Sequence, residues 1–165
     1  MSSQENFLIT LTKVSRLMLT IFSISFLLTG IAYSETVQHS GTISAQTTWS
    51  ATDVHWVTGT VTVNAGVQLT IEPGAVVKFN PNTSLNISGA LTAAGNASQK
   101  IFFTSYRDDS VAGDTNGDGE SNGQSGDWTY IHFSDSTSEI LTKLDYVEVR
   151  YGGASTAAIY QYSAS

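Results

Sequence analysis

The sequence predicts an all-β chain that winds as a parallel β-helix, a solenoid of short strands stacked coil on coil. Three observations predict it. From Gly59 the chain divides into octads, GTVTVNAG, VQLTIEPG, AVVKFNPN, TSLNISGA, LTAAGNAS and QKIFFTSY. Their third and fifth places read Val61, Val63, Leu69, Ile71, Val77, Phe79, Leu85, Ile87, Ala93, Gly95, Ile101 and Phe103, all apolar except Gly95. The fourth places between them, Thr62, Thr70, Lys78, Asn86, Ala94 and Phe102, are mostly polar. Apolar–polar–apolar is a short strand with one buried face, so Val61, Val63, Leu69, Ile71, Val77, Phe79, Leu85, Ile87, Ile101 and Phe103 should be core while Thr70, Lys78 and Asn86 stay outside. Second, three octads make a coil of 24 residues that sets Val61 on Leu85, Val63 on Ile87, Val77 on Ile101 and Phe79 on Phe103. A coil of two octads fits nearly as well. Third, Pro73-Gly74 sets a type II turn, whose twist suits a corner better than a hairpin. An antiparallel β-sandwich, which also shows turns every ~8–12 residues, is the alternative.

The N-terminal segment is different in kind. Lys13 and Arg16 precede a charge-free apolar run from Leu17 to Tyr33 that ends in Ala32-Tyr33-Ser34. Positive charge, an apolar stretch and small residues at the cleavage positions make residues 1–34 a secretory signal peptide, so the chain is expected to be secreted or displayed at the cell surface, with no membrane insertion after cleavage. The 165-residue chain has no cysteine, which excludes disulfide staples. Charged residues are 13% of the whole, against roughly 25% in ordinary soluble domains. Without the leader 5 basic and 13 acidic side chains remain, a net charge of −8. That argues against a nucleic-acid partner or an anionic membrane surface, which need clustered Lys and Arg.

Residues 35–58 are less regular and are expected to form an N-terminal cap, with Trp49 and Trp56 as aromatic plugs, because a solenoid needs its first coil covered. Residues 59–165 are the coils. Leu69-Thr70-Ile71-Glu72-Pro73-Gly74-Ala75-Val76-Val77-Lys78-Phe79 resembles a coil of bacterial right-handed parallel β-helix surface proteins. Ile101 to Ser105, Gly126-Asp127-Trp128 with Ile131 and Phe133, and Tyr146 to Gly153 resemble the same family. The resemblance covers roughly residues 59–153. It implies a right-handed coil and a large secreted or surface protein, with further coils beyond Ser165.

The repeat is interrupted by an acidic loop at 107–127, with six carboxylates and no basic side chain after Arg107. Asp114-Thr115-Asn116-Gly117-Asp118-Gly119 matches the first half of a calcium loop. Oxygen donors at places 1, 3 and 5 converge on a hard cation and the glycine at place 6 makes the turn. The expected metal residues are Asp114, Asn116, Asp118 and Glu120, the last through its carbonyl, and the expected ion is calcium. The twelfth place is Ser125 rather than a bidentate Glu, so Asp127, Asp108 or Asp109 would have to close the site.

No catalytic constellation is spaced along the chain. His39, His55 and His132 are too scattered to suggest zinc, and no nucleophile has a base beside it. Trp128 and Tyr130 read as outward neighbours on one strand and are candidate glycan contacts, with packing beneath the acidic loop the favoured alternative. Leu144 to Tyr151 reads as strand with a corner in the middle, and Ala157 to Tyr162 as the start of another. The last coil would then leave an open edge, which templates end-to-end self-association. The functional expectation is a structural, adhesin-like or glycan-binding module whose partner is a carbohydrate or another surface protein, with a calcium-ordered loop. The rival is a polysaccharide lyase, whose base would be Lys78, Arg107, Lys143 or Arg150.

Overall fold

The computed structural model describes residues 35–161, and the expected signal peptide lies outside the described residues. Twelve strands and no helix are found among them, so no helix there is long and apolar enough to cross a membrane. The strands are β1 (Thr36–Ile43), β2 (Thr47–Trp49), β3 (Val54–Val63), β4 (Gln68–Ile71), β5 (Val76–Phe79) and β6 (Ser84–Ile87). They continue as β7 (Ala90–Ala94), β8 (Ile101–Ser105), β9 (Tyr130–Phe133), β10 (Lys143–Asp145), β11 (Val147–Val149) and β12 (Ile159–Gln161). Residues 35–58 are more regular than expected, supplying β1, β2 and the first half of β3.

Two parallel sheets result. The larger runs β11-β8-β5-β3-β6-β9-β12 with β1 on the other edge of β3, and the smaller runs β10-β7-β4-β2. The strand β3 joins two walls: Val54–Val57 pairs with β5, and Val61–Val63 with β6. Between those halves lies Gly59, where an added Cβ would sit 3.0 Å from that of Ser40 on β1. One continuous sheet thereby bends around the core and curls into a half-barrel, with the smaller sheet facing it.

The expected fold class is corrected on both counts. The right-handed parallel β-helix gives way to two parallel sheets, the larger a half-barrel made continuous by β3 rather than separate faces of a uniform coil. The antiparallel sandwich is overturned because every pairing between strands is parallel. Pairing follows the expected register only in part. Val61 faces Leu85 and Val63 faces Ile87, but Leu69 faces Leu91, Val77 faces Phe103 and Phe79 faces Ser105. The offset between paired strands is thus 24 residues from β3 to β6, 22 from β3 to β5 and from β4 to β7, and 26 from β5 to β8. Corners of unequal length absorb the difference.

The ten core positions read from the octads are all buried. A drift of two residues leaves every side chain on the same face, whereas a drift of one would invert the strand. The core is closed at one end by Trp49 and at its centre by a stack of Phe79 on Trp128, centroids 4.3 Å apart and planes 13° from parallel. Trp56 instead lies half-buried, its indole N–H donating to Asn80 at 2.8 Å. Lys78, expected outside, is 0% exposed. It does face away from the core, but another part of the chain folds over it.

Candidate functional site

That covering segment is the acidic loop between β8 and β9. Its two ends are pinned by carboxylates. At the start, Asp108 is 1% exposed and accepts from the Thr104 hydroxyl at 2.6 Å, from the amide and hydroxyl of Ser110, and from Arg150 at 3.5 Å. Burial alone would raise its pKa, but the Ser110 and Thr104 hydrogen bonds and the Arg150 charge outweigh it and hold the carboxyl below its ordinary value. At the far end, Asp127 accepts from the Ser105 hydroxyl at 2.6 Å and from the Gln124 amide at 2.9 Å. Both therefore tie the loop to the end of β8, and neither closes a metal site.

Between the pins the chain coils on itself. Asp114 accepts from the amides of Gly117 at 2.7 Å and Gly119 at 2.9 Å. The Gly119 bond is the main reason its pKa is lowered. Gly119 has φ of 91°, a left-handed turn that suits the glycine at the sixth place of the motif. Asp109 accepts from the amide and hydroxyl of Ser121 through one oxygen. Carboxylate oxygens of Asp109, Asp114 and Asp118 converge to within 4.8 Å of one another.

Of the four expected metal residues, Asp114 and Asp118 belong to this group. Asn116 adjoins it, its amide donating to Asp118 at 2.8 Å. The exposed Glu120 is not in the carboxylate group, and Asp109 is the third member. Two oxygens here, Asp109 Oδ1 and Asn116 Oδ1, are shielded from solvent and have no hydrogen-bond partner.

Lys78 completes the arrangement from β5. Its ammonium donates to the Gly113 carbonyl at 2.6 Å. Burial lowers its pKa, against the upward pull of Asp109, Asp108 and Asp114. The alternation that put Lys78 on the outer face was right about direction. It carried no signal that a loop some 35 residues later would cover that face.

The other candidates are placed as follows. Trp128 is 0% exposed, stacked on Phe79, and donates through its indole to the Arg150 carbonyl at 2.8 Å. It is core and has no face to offer a sugar. Tyr130 is half-buried on the outer surface, its ring edge-on to Tyr160 at 4.9 Å, while His132 stacks on Tyr160 at 4.5 Å. An open cleft of about 250 Å³ lies beside them, lined by His132, Ser134, Asp135 and Tyr160. Arg150 is held by Glu148 at 2.5 Å and lies 4.8 Å over the Phe102 ring, and Lys143 pairs with Asp145 at 2.8 Å. His39 and His55, read as too scattered along the chain to suggest zinc, are in hydrogen-bond contact at 2.9 Å. Compared with protein-family models, curated proteins and solved structures, the chain matches none.

Proposed function

We propose that this chain is an exported, non-enzymatic module of the cell surface or secreted space, and that its acidic loop binds calcium through Asp109, Asp114 and Asp118. One observation carries the reading: three carboxylates converge in a loop whose ends are already fixed, beside two shielded oxygens that lack a donor. A hard divalent cation takes oxygen donors of this kind. The incomplete ligand set points to an affinity of ~10⁻⁴–10⁻³ M, the range of extracellular modules.

Lys78 neutralises part of the cluster and keeps the loop in place without the ion. Of the four basic side chains that could serve a polysaccharide lyase, Lys78 is engaged by the Gly113 carbonyl, Arg150 by Glu148 and Lys143 by Asp145. A structural or adhesin-like role fits this better, with Tyr130, His132 and Tyr160 as the surface for a glycan. Calorimetric titration of the chain with calcium chloride tests the metal. We expect saturable heat that disappears in an Asp114→Asn/Asp118→Asn double variant. Absence of heat up to several millimolar would overturn the reading.

A further inference from the structure

The end of the core at the first strand is closed by three aromatic side chains, two of them titratable. His39 comes from β1, Trp49 from β2 and His55 from β3. The His39 ring stacks on Trp49 at 4.3 Å and 26°, and Trp49 on His55 at 5.1 Å and 12°. Trp49 is 2% and His55 3% exposed. Every other inward position of β3 carries Val or Gly, so imidazoles here are out of character with the rest of the wall.

The hydrogen bonds fix both tautomers. His55 Nε2 lies 2.9 Å from the Ser50 carbonyl oxygen. A carbonyl only accepts, so that nitrogen carries the hydrogen. Neutral His55 then has a bare Nδ1, and His39 Nε2 lies 2.9 Å from it. His39 must therefore donate through Nε2, leaving its own Nδ1 bare. One proton can be added at His39 Nδ1 without disturbing either bond. A second can go only to His55 Nδ1, where two N–H groups would face each other at the 2.9 Å now spanned by a hydrogen bond. The pair accommodates one extra proton and not two.

The surroundings do little to welcome even the first. Of the charged groups, Asp53 in the turn before β3 and Glu72 just after β4 act favourably on a charged His55. The strand β5 sets Val77 beside His55, and its Lys78 faces the opposite side of the sheet. The strand β1 itself carries no acidic residue, and Glu35 just before it uses its carbonyl to accept from the Val54 amide. Burial dominates: it lowers the pKa of His55 and, together with the His55 charge, takes that of His39 down to about 4.

We propose that His39, Trp49 and His55 form an acid-operated latch, which holds β1 on the edge of β3 while both imidazoles are neutral and releases it when the pair takes up two protons. The strand β1 is the outermost of its sheet and pairs with both halves of β3, Thr36–His39 against Val54–Val57 and Gly41–Ile43 against Val61–Val63. Its release frees a long row of N–H and C=O groups on β3, a template for another strand. The sign follows from linkage. A histidine whose pKa is depressed in the folded state loses stability as pH falls below its unfolded value of 6.5, and the loss grows until pH reaches the folded value of about 4. The latch therefore begins to loosen below pH 6.5, with the contribution of His39 complete near pH 4 and that of His55, whose pKa burial also lowers, acting in the same direction.

Hydrogen–deuterium exchange of the Thr36–Ile43 segment in the full chain, corrected for the intrinsic pH dependence of exchange, is the test. Between pH 7.5 and 4.5 (the range spanned by ordinary histidine titration) its protection should fall roughly tenfold or more, after allowing for partial solvent screening. β4, β5 and β8 should stay protected. His39→Phe keeps a ring in the stack and removes the N–H that would oppose a protonated His55, so β1 should remain protected at the acid end, whereas His132→Phe should leave the acid response unchanged. Nitrogen-15 imidazole shifts of the unmodified chain read the same point without a variant, and should show both rings neutral with hydrogen on Nε2 at the alkaline end. Unchanged protection of β1 across the range, an equal loss in His39→Phe, or a charged imidazole at either position at the alkaline end would each overturn the proposal.

Discussion

Phe79 and Phe102 give a paired test of which face each strand buries. Phe79 is fully enclosed, stacked on Trp128 at 4.3 Å and tilted against Phe103 at 6.4 Å. Phe102 faces the other way, half-exposed beneath the Arg150 guanidinium at 4.8 Å. Phe79→Ala removes a ring whose neighbours are themselves locked in strands, so the space cannot collapse. The cost should lie at ~3–5 kcal/mol, the range for enclosed aromatics. With a urea slope of about 2 kcal/mol/M, a loss of about 4 kcal/mol moves the unfolding midpoint by about 2 M. Phe102→Ala loses a partly wet contact and one cation–π interaction, for a cost of about 1 kcal/mol. Urea denaturation of both variants, followed by circular dichroism, measures the difference. Equal effects, or a larger one for Phe102, would mean that the strands sit one residue away from the register described above.

Three other perturbations separate parts of the molecule. Arg107 is exposed at the start of the acidic loop, and trypsin cleavage there should slow with millimolar calcium and quicken with chelator if the carboxylate cluster takes the ion. Asp108, whose folded pKa lies below 3.8, contributes stability that is present above that value and lost as pH falls through the folded one. Asp108→Asn should therefore flatten the acid limb of a stability–pH profile below pH ~4, and lower stability at neutral pH by ~1–3 kcal/mol by weakening bonds to Thr104, Ser110 and Arg150. Residues 35–165 expressed alone should associate end to end. No described strand covers the outer edges of β10, β11 and β12, and Ile140, Leu141, Tyr146 and Ile159 are exposed. Light scattering showing a monodisperse monomer at high concentration would contradict this.

What could be read from the sequence was the part governed by alternation. Each of the ten predicted core positions is buried, because alternation fixes the face and tolerates corners that gain or lose two residues. Partner identity was less legible: Phe79 faces Ser105 and not Phe103, since corner lengths decide the offset and side chains do not announce them. The corner within residues 144–151 was visible and falls at Tyr146, whose φ is 48°. Trp128 was misplaced because strand alternation was extended to it, whereas β9 begins only at Tyr130. Lys78 was misplaced because its burial comes from a long-range crossing of the acidic loop. The carboxylate group was half legible: the motif found Asp114 and Asp118, while Asp109 is brought in by the fold of the loop. The His39–His55 pair was hidden because only parallel pairing of β1 with β3 brings the two rings together.

The branching of β3 also governs how the chain carries a load. Hydrogen bonds between parallel strands point from rung to rung, so tension along that direction peels one rung from the next instead of shearing whole rows at once. At the far end the rungs are short, three paired residues each for β10, β11 and β12. At β3 seven residues pair with β1 on one side, and the two walls pull together on the other. A pull applied from the C-terminal side would strip the short rungs in succession and stall at β3, the clamp to which both walls are fastened.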